Sequence, residues 1–317
     1  MTGPLVVAVD AMGGDRAPDE VVAGARRAAD ESGIEIVLVG RPEALPDTGD
    51  LAVVPASEVI EMGDEPGAAV RRKKDSSLVR AAEAVRDGKA AAMFSAGNTG
   101  AAMASALLRM GRIKGVSRPA VATPLPVPGT TPTVLLDAGA NAECQAAWLV
   151  QFAQMGSAYA RARYGLDEPR VGLLSIGEES GKGNSLVKDA HALLAVAGGV
   201  RFVGNVEGRD LLTDDVDVVV TDGFSGNIAL KAMEGALACV RGAVRSALPA
   251  DAWATVEPVL EALDPETYGG AMLLGVEGVC VVGHGASSAT AVANGIVVAA
   301  ELARGDLVTA LRNAIAA

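Results

Sequence analysis

Five short stretches of small and polar residues carry groups that could do chemistry, and each follows an apolar run and opens a helical pattern. DAMGGD offers Asp10, Gly13, Gly14 and Asp15, and SAGNTG offers Ser95, Gly97, Asn98, Thr99 and Gly100. DAGAN offers Asp137 and Asn141, GEESGKGN offers Lys182 and Asn184, and DGFSGN offers Asp222, Ser225, Gly226 and Asn227. SAGNTG has the makings of an anion nest: exposed backbone N–H groups at a helix start, with no bulky side chain in the way. The competing reading is a tight strand-to-helix turn that binds nothing. The G-x-G-x-x-G spacing of a dinucleotide site is absent.

GEESGKGN departs from a nucleotide P-loop. Three residues separate Gly177 from Gly181, and Gly183 follows Lys182 where Ser or Thr would meet magnesium. Lys182 is then either an exposed surface lysine or a point charge for a phosphate or a developing oxyanion. Asn227 either caps the helix that follows or donates to a carbonyl oxygen. A carboxylate beside Gly13-Gly14 either stabilises the turn or meets a ligand. His284 lies between two glycines in GHGASS. With 2 histidines in the chain no metal cluster is expected, and Ser287 and Ser288 are too near His284 in sequence to read as a triad. His191 falls inside a helical pattern and is given no role.

The densest basic run is Arg71-Arg72-Lys73-Lys74, and Arg109, Arg112, Lys114 and Arg118 form a second patch. Such runs are usually solvated faces, but on an acidic chain they can also steer an anionic partner. The charge sum is 27 − 39 = −12, which argues against nucleic acid as a partner. The opening MTGPLVVAVD lacks a basic start, so no secretory signal is expected. Two charge-poor stretches, 119–136 and 278–300, are broken by prolines or polar groups and do not read as membrane spans. The 3 cysteines, Cys144, Cys239 and Cys280, show no metal spacing, which fits a reduced cytoplasmic protein.

The elements that must position these groups recur as strand, polar loop, helix: apolar runs at 5–10, 90–94, 133–137, 171–176 and 216–221 each lead into a helix, the last two helices beginning at Ser185 and Ile228. That rhythm predicts an α/β fold with a mainly parallel sheet, and ligands beyond the carboxyl ends of its strands. Nothing in the composition marks a domain boundary, so one α/β domain over 1–317 is expected. Residues 246–263, SALPADAWATVEPVLEAL, read as an inserted helical hairpin whose turn carries Leu248 and Trp253.

The blocks VAVDAMGGDRAP, VRRKKDSS, FSAGNTGA, GRIKGVSRPA, GLLSIGEESGKGN, FVGNVEGRDLL, VVVTDGFSGNIALK and YGGAMLLG together resemble the bacterial phosphate acyltransferases of phospholipid synthesis (the PlsX family), from about Leu5 to Asn294. The resemblance implies a Rossmann-like three-layer α/β/α fold similar to isopropylmalate dehydrogenases and phosphotransacetylases. It implies transfer of an acyl group from acyl carrier protein to inorganic phosphate, with no cofactor and no metal. It also implies a homodimer that associates peripherally with the inner face of the cell membrane. Lys182 and Asn227 fall on the family's proposed catalytic lysine and asparagine. The loops supply the substrate-binding residues, Arg71, Arg72, Lys73 and Lys74 would dock the carrier, and Leu248 and Trp253 would form a membrane tip or, alternatively, a dimer contact. Two blocks differ from the family pattern: AECQAAWL after Asn141 replaces a Lys-Pro stretch, and Ser288-Ala289-Thr290 replaces Asp-Ala-Lys. The rival readings are a coenzyme A phosphotransacetylase and a non-catalytic, membrane-docked scaffold for lipid enzymes.

Overall fold

The computed structural model describes residues 5–316, apart from the side chains of residues 265 and 266. In chain order the elements begin with β1 (Val6–Asp10), α1 (Asp19–Ser32), β2 (Glu35–Gly40), β3 (Ala52–Pro55), α2 (Pro66–Arg72), α3 (Ser77–Arg86), β4 (Ala92–Ser95) and α4 (Thr99–Arg109). There follow β5 (Ala120–Leu125), β6 (Thr133–Leu136), α5 (Ala146–Tyr164), β7 (Arg170–Leu174), α6 (Ser185–Leu194), β8 (Arg201–Val206), β9 (Val218–Val220), α7 (Gly223–Ala247) and α8 (Ala250–Glu261). The last are β10 (Ala271–Leu274), β11 (Val279–Val282), α9 (Ala289–Arg304) and α10 (Leu307–Ala316).

The chain packs as two units, one holding residues up to 119 together with 268–313, the other holding 120–267 and the residues after 313. In the first unit the strands lie in the order β3-β2-β1-β4-β11-β10. They are parallel except for the β10–β11 pair. Consecutive residues Val7, Ala8 and Val9 are each 0% exposed, so both faces of the sheet are covered. Such strands read as continuous apolar runs, because a residue on either face meets a helix. α9 packs against β11, β4 and β1, and α3 against β1, β4 and β2.

In the second unit the order is β5-β6-β9-β7-β8, parallel from β6 to β8 and antiparallel at β5–β6. Val134, Leu135, Leu136 and Val218, Val219, Val220 are fully buried. α5 covers β9 and β6. Burying each such side chain contributes about 1.5–3 kcal/mol. That is why these short runs form the sheet centre despite the glycines and prolines around them.

Side-chain caps set the starts of two helices. α4 begins at Thr99, because the Asn98 side chain caps it by accepting from the Ala101 N–H at 3.0 Å. α7 begins at Gly223 rather than Ile228, because Asp222 is the cap and accepts from the Ser225 N–H at 2.8 Å. Asn227 therefore lies inside the helix, and its reading as the cap is corrected. Gly223 and Gly226 weaken helix propensity and hide the start, but both are buried in the fold.

The helical hairpin is present: α7 ends at Ala247, Leu248-Pro249 makes the turn, and α8 starts at Ala250. The membrane-tip reading needs one correction. Trp253 is only 4% exposed, and the Arg245 guanidinium lies over its ring at 4.8 Å. A large ring one turn into α8 is covered by its own hairpin, leaving Leu248, half-buried, at the turn itself.

Candidate active site

In the first unit β1, β4 and β11 are adjacent and parallel, so the loops after them leave from one edge. They pack on one another. The Asp15 N–H donates to the Gly285 carbonyl at 2.7 Å. A methyl group on Gly13 would stand 2.5 Å from Asp10 Oδ2 and 2.9 Å from the Gly97 nitrogen, so only glycine lets the two loops approach. Asp10 is 2% exposed. Its Oδ2 accepts from Ser95 Oγ at 2.7 Å, and that hydroxyl accepts from the Gly97 N–H at 3.1 Å. Burial pushes the Asp10 carboxyl above its usual pKa, against the Ser77, Ser95 and Met12 hydrogen bonds. Asp10 and Ser95 thus hold the loops together from beneath.

Asn98 does double duty: besides capping α4, its Nδ2 donates to the carbonyls of Met62 and Asp64 at 2.8 and 3.2 Å. Thr99 and Gly100 occupy the first turn of α4, where N–H groups have no intrahelical acceptor. Asp15, on the loop after β1, is exposed. His284 is exposed, and its Nδ1 accepts locally from the Ala286 N–H at 3.2 Å. In the altered block, Ser288 caps α9, and the Thr290 hydroxyl accepts from Arg27 at 2.9 Å.

In the second unit β6, β9 and β7 are likewise adjacent and parallel, so Asp137, Asp222 and the Lys182 loop follow neighbouring strand ends. Asp137 is fully buried. It accepts from the N–H groups of Val121, Gly139, Ala140 and Asn141 and from Asn141 Nδ2, at 2.7–3.1 Å. Burial raises its pKa, and these donors oppose the shift. The Asn141 carbonyl accepts the Gly223 N–H at 2.7 Å, which fixes the start of α7 on this loop. Ser225 Oγ donates to Asp222 Oδ2 at 2.9 Å. Gly226 lies buried against the Asp137 carbonyl. One residue on, Asn227 Nδ2 donates to the Ala138 carbonyl at 3.1 Å. The structure therefore brings Asp137, Asn141, Asp222, Ser225, Gly226 and Asn227 together.

Lys182 is exposed. Its backbone N–H donates to the Glu179 carbonyl at 2.9 Å, and its stem lies over Gly177. Asn184 caps α6 by accepting from the Val187 N–H at 3.0 Å. Burial, with the charges of Asp137 and Asp222, pushes the Cys144 thiol up to about 11. Sequence reasoning overlooked Asn205, whose Nδ2 donates to the Glu179 carbonyl at 2.9 Å. The available signal was a polar residue inside the strand-like FVGNV.

The basic run is divided. Arg71, Arg72 and Lys74 are exposed, but Lys73 Nζ bonds Asp64 Oδ2 at 2.6 Å and the Val59 carbonyl at 2.7 Å. Lys73 therefore ties α2 to the preceding loop. In the second patch Arg109 Nε stands 3.7 Å from Glu83. Among the described residues no group of acidic, Cys and His side chains could hold a metal, and no helix is long and apolar enough to cross a membrane.

This architecture, two mainly parallel α/β units with polar loops at their carboxyl edges, is that of the phosphotransacetylases. A phosphotransacetylase from Streptococcus pyogenes superposes with a TM-score of 0.64 at 16% identity, over 96% of this chain and 95% of its own. A branched-chain phosphotransacylase from Enterococcus faecalis gives 0.64 at 15%, over 94% and 99%. These likenesses establish the fold. The particular family follows from sequence: the profile of the family described as "Fatty acid synthesis protein" matches residues 5–310, and the chain belongs to it. Relatives named phosphate acyltransferase include one from Nostoc punctiforme, 47% identical over 93% of this chain and 92% of its own. Another, from Pelotomaculum thermopropionicum, is 48% identical over 98% and 95%.

Proposed function

We propose that this chain transfers a long-chain acyl group from acyl carrier protein to inorganic phosphate, giving acyl phosphate and the free carrier thiol for phospholipid synthesis. Near end-to-end identity of 47% with a phosphate acyltransferase carries this reading. Phosphate is already a nucleophile at neutral pH, so no Ser, His or Cys need be activated. A phosphate oxygen attacks the thioester carbon, the carbonyl oxygen gains charge, and the C–S bond breaks to release the phosphopantetheine thiolate. The protein must supply alignment and charge stabilisation.

Lys182 fits that need as a mobile cation on a glycine-flanked loop. An Asn amide carries two N–H donors. In Asn227 one is engaged by Ala138, and the other is the donor assigned to the thioester oxygen. The 137–141 loop, Asn184 and the first-unit loops with Asp10, Gly13, Gly14, Asp15, Ser95, Gly97, Asn98, Thr99, Gly100 and His284 are assigned to substrate binding. Within each unit the buried carboxylates shape the loops, and the loop N–H groups are the donors assigned to an anion.

The carrier is acidic, so it would dock on Arg71, Arg72 and Lys74. A homodimer would use the face of α7 that carries Phe224 and Ile228, 62% and 52% exposed. Peripheral contact with the inner face of the cell membrane would fall to Leu248. The direct test is to incubate the pure protein with long-chain acyl carrier protein and phosphate, then trap acyl phosphate with hydroxylamine. No hydroxamate, with the carrier still bound, would favour the scaffold reading. Turnover only with an acyl coenzyme A would favour a phosphotransacetylase.

A further inference from the structure

β8 contains a bulge. Val171 of β7 pairs with Phe202, but the next residue, Gly172, pairs with Gly204, so Val203 is extra. Gly204 has φ +109°, a backbone state that glycine adopts without strain. In a regular strand Phe202 and Asn205 would point to opposite faces. The extra residue shifts the alternation, and both side chains meet His191 of α6. The Phe202 and His191 rings lie edge to face, 5.1 Å between centroids. His191 Nδ1 lies 3.0 Å from Asn205 Oδ1. With the Asn205 oxygen facing His191, its nitrogen faces the Lys182 loop. There it donates to the Glu179 carbonyl at 2.9 Å, the same oxygen that accepts the Lys182 N–H. Asn205 is 6% exposed, so water competes little for these bonds.

We propose that Asn205, placed by the Gly204 bulge and oriented by His191, is a positioning residue that clamps the turn carrying Lys182. This rests on the assignment of Lys182 to catalysis. Lys182 has four rotatable side-chain bonds on an exposed loop, so its ammonium is placed only as well as its backbone is. Pinning the turn at Glu179, three residues before the lysine, sets the origin from which the side chain reaches the substrate. Aligned groups of this kind lose rate steeply when displaced by about 1 Å.

The test compares Asn205→Leu, which keeps the branched heavy-atom shape and deletes both bonds, with His191→Phe, which keeps the ring contact and deletes Nδ1. Gly204→Ala is a third variant: its added methyl meets nothing within 4 Å, but the backbone angle becomes strained. Each should lower kcat by on the order of 10–100-fold, with Michaelis constants within about twofold. Hydrogen exchange of residues 177–184 should speed while β7 stays protected. In a Lys182→Met background Asn205→Leu should cost less than about twofold, because a clamp has nothing left to position. A full repeat of the loss in that background would overturn the clamp, as would unchanged exchange at 177–184. A near wild-type Lys182→Met enzyme would instead overturn the lysine's catalytic role, so the two failures are read separately. Should Asn205→Leu not fold, His191→Phe carries the same readouts.

Discussion

Asn227 Nδ2 stands 3.1 Å from the Ala138 carbonyl oxygen, which aims the side chain of the second turn of α7 at the loop after β6. Asn227→Asp keeps the shape but replaces both donors with acceptors, opposite a carbonyl and beside Asp137 and Asp222. We expect kcat for acyl phosphate formation to fall by about 10²–10³, the usual loss for one oxyanion donor. Steady-state kinetics at saturating phosphate check this. A kcat within about threefold of wild type would remove Asn227 from the mechanism.

Lys182→Met retains much of the stem that lies over Gly177 and removes the charge. The expected fall is again about 10²–10³ in rate, or roughly 3–4 kcal/mol. Tm should stay nearly constant, because an exposed loop lysine contributes little to stability. Action on the transition state shows in kcat; action on bound phosphate shows as a raised Michaelis constant for phosphate.

Charge reversal at Arg71, Arg72 and Lys74 should raise the Michaelis constant for acyl carrier protein and flatten its salt dependence. Unchanged values would make the run a solvated face. Lys73→Met should act on stability instead. The Lys73 hydrogen bond, helped by the Glu61 N–H and by the charges of Lys73 and Arg72, holds the Asp64 carboxyl below its usual pKa against the effect of burial. A lowered folded-state pKa stabilises above the unfolded value, near 4, and that stabilisation is lost as pH falls through the lowered one. Lys73→Met should therefore lower Tm at neutral pH and make its decline below about pH 4 shallower. Melting curves from pH 7 to 2.5 test the sign.

Leu248→Glu and Trp253→Glu, both in the hairpin, should separate. The first should weaken binding to anionic vesicles with Tm intact. The second buries a carboxylate where an indole stood beneath Arg245 and should destabilise the fold. Vesicle release by Trp253→Glu with an unchanged Tm would restore Trp253 as a lipid contact. A wild type that never binds vesicles would end the membrane reading.

Much of this was legible along the chain, and the reason is local. Strands such as Val134–Leu136 are apolar on both faces, so they stand out without knowledge of their partners. The loops stand out because a close approach, like that of Gly13 to Gly97, requires glycine in the sequence itself. The start of α7 was not legible, because Gly223 and Gly226 lower local helix propensity while burial against the 137–141 loop restores the helix.

The alternation of apolar runs, glycine-rich loops and helices determined the α/β class, the loop-bearing edge and the family, since each is written in residue type and spacing. Which groups serve those loops was decided only by tertiary structure. Lys73 looks identical to its three basic neighbours until folding sets it against Asp64. Trp253 looks exposed until its own hairpin covers it. Asn205 looks like a flaw in a strand until one extra residue turns it toward His191 and the Glu179 carbonyl. Pairings between residues far apart in the chain depend on packing and register, and neither is encoded in any local window of sequence.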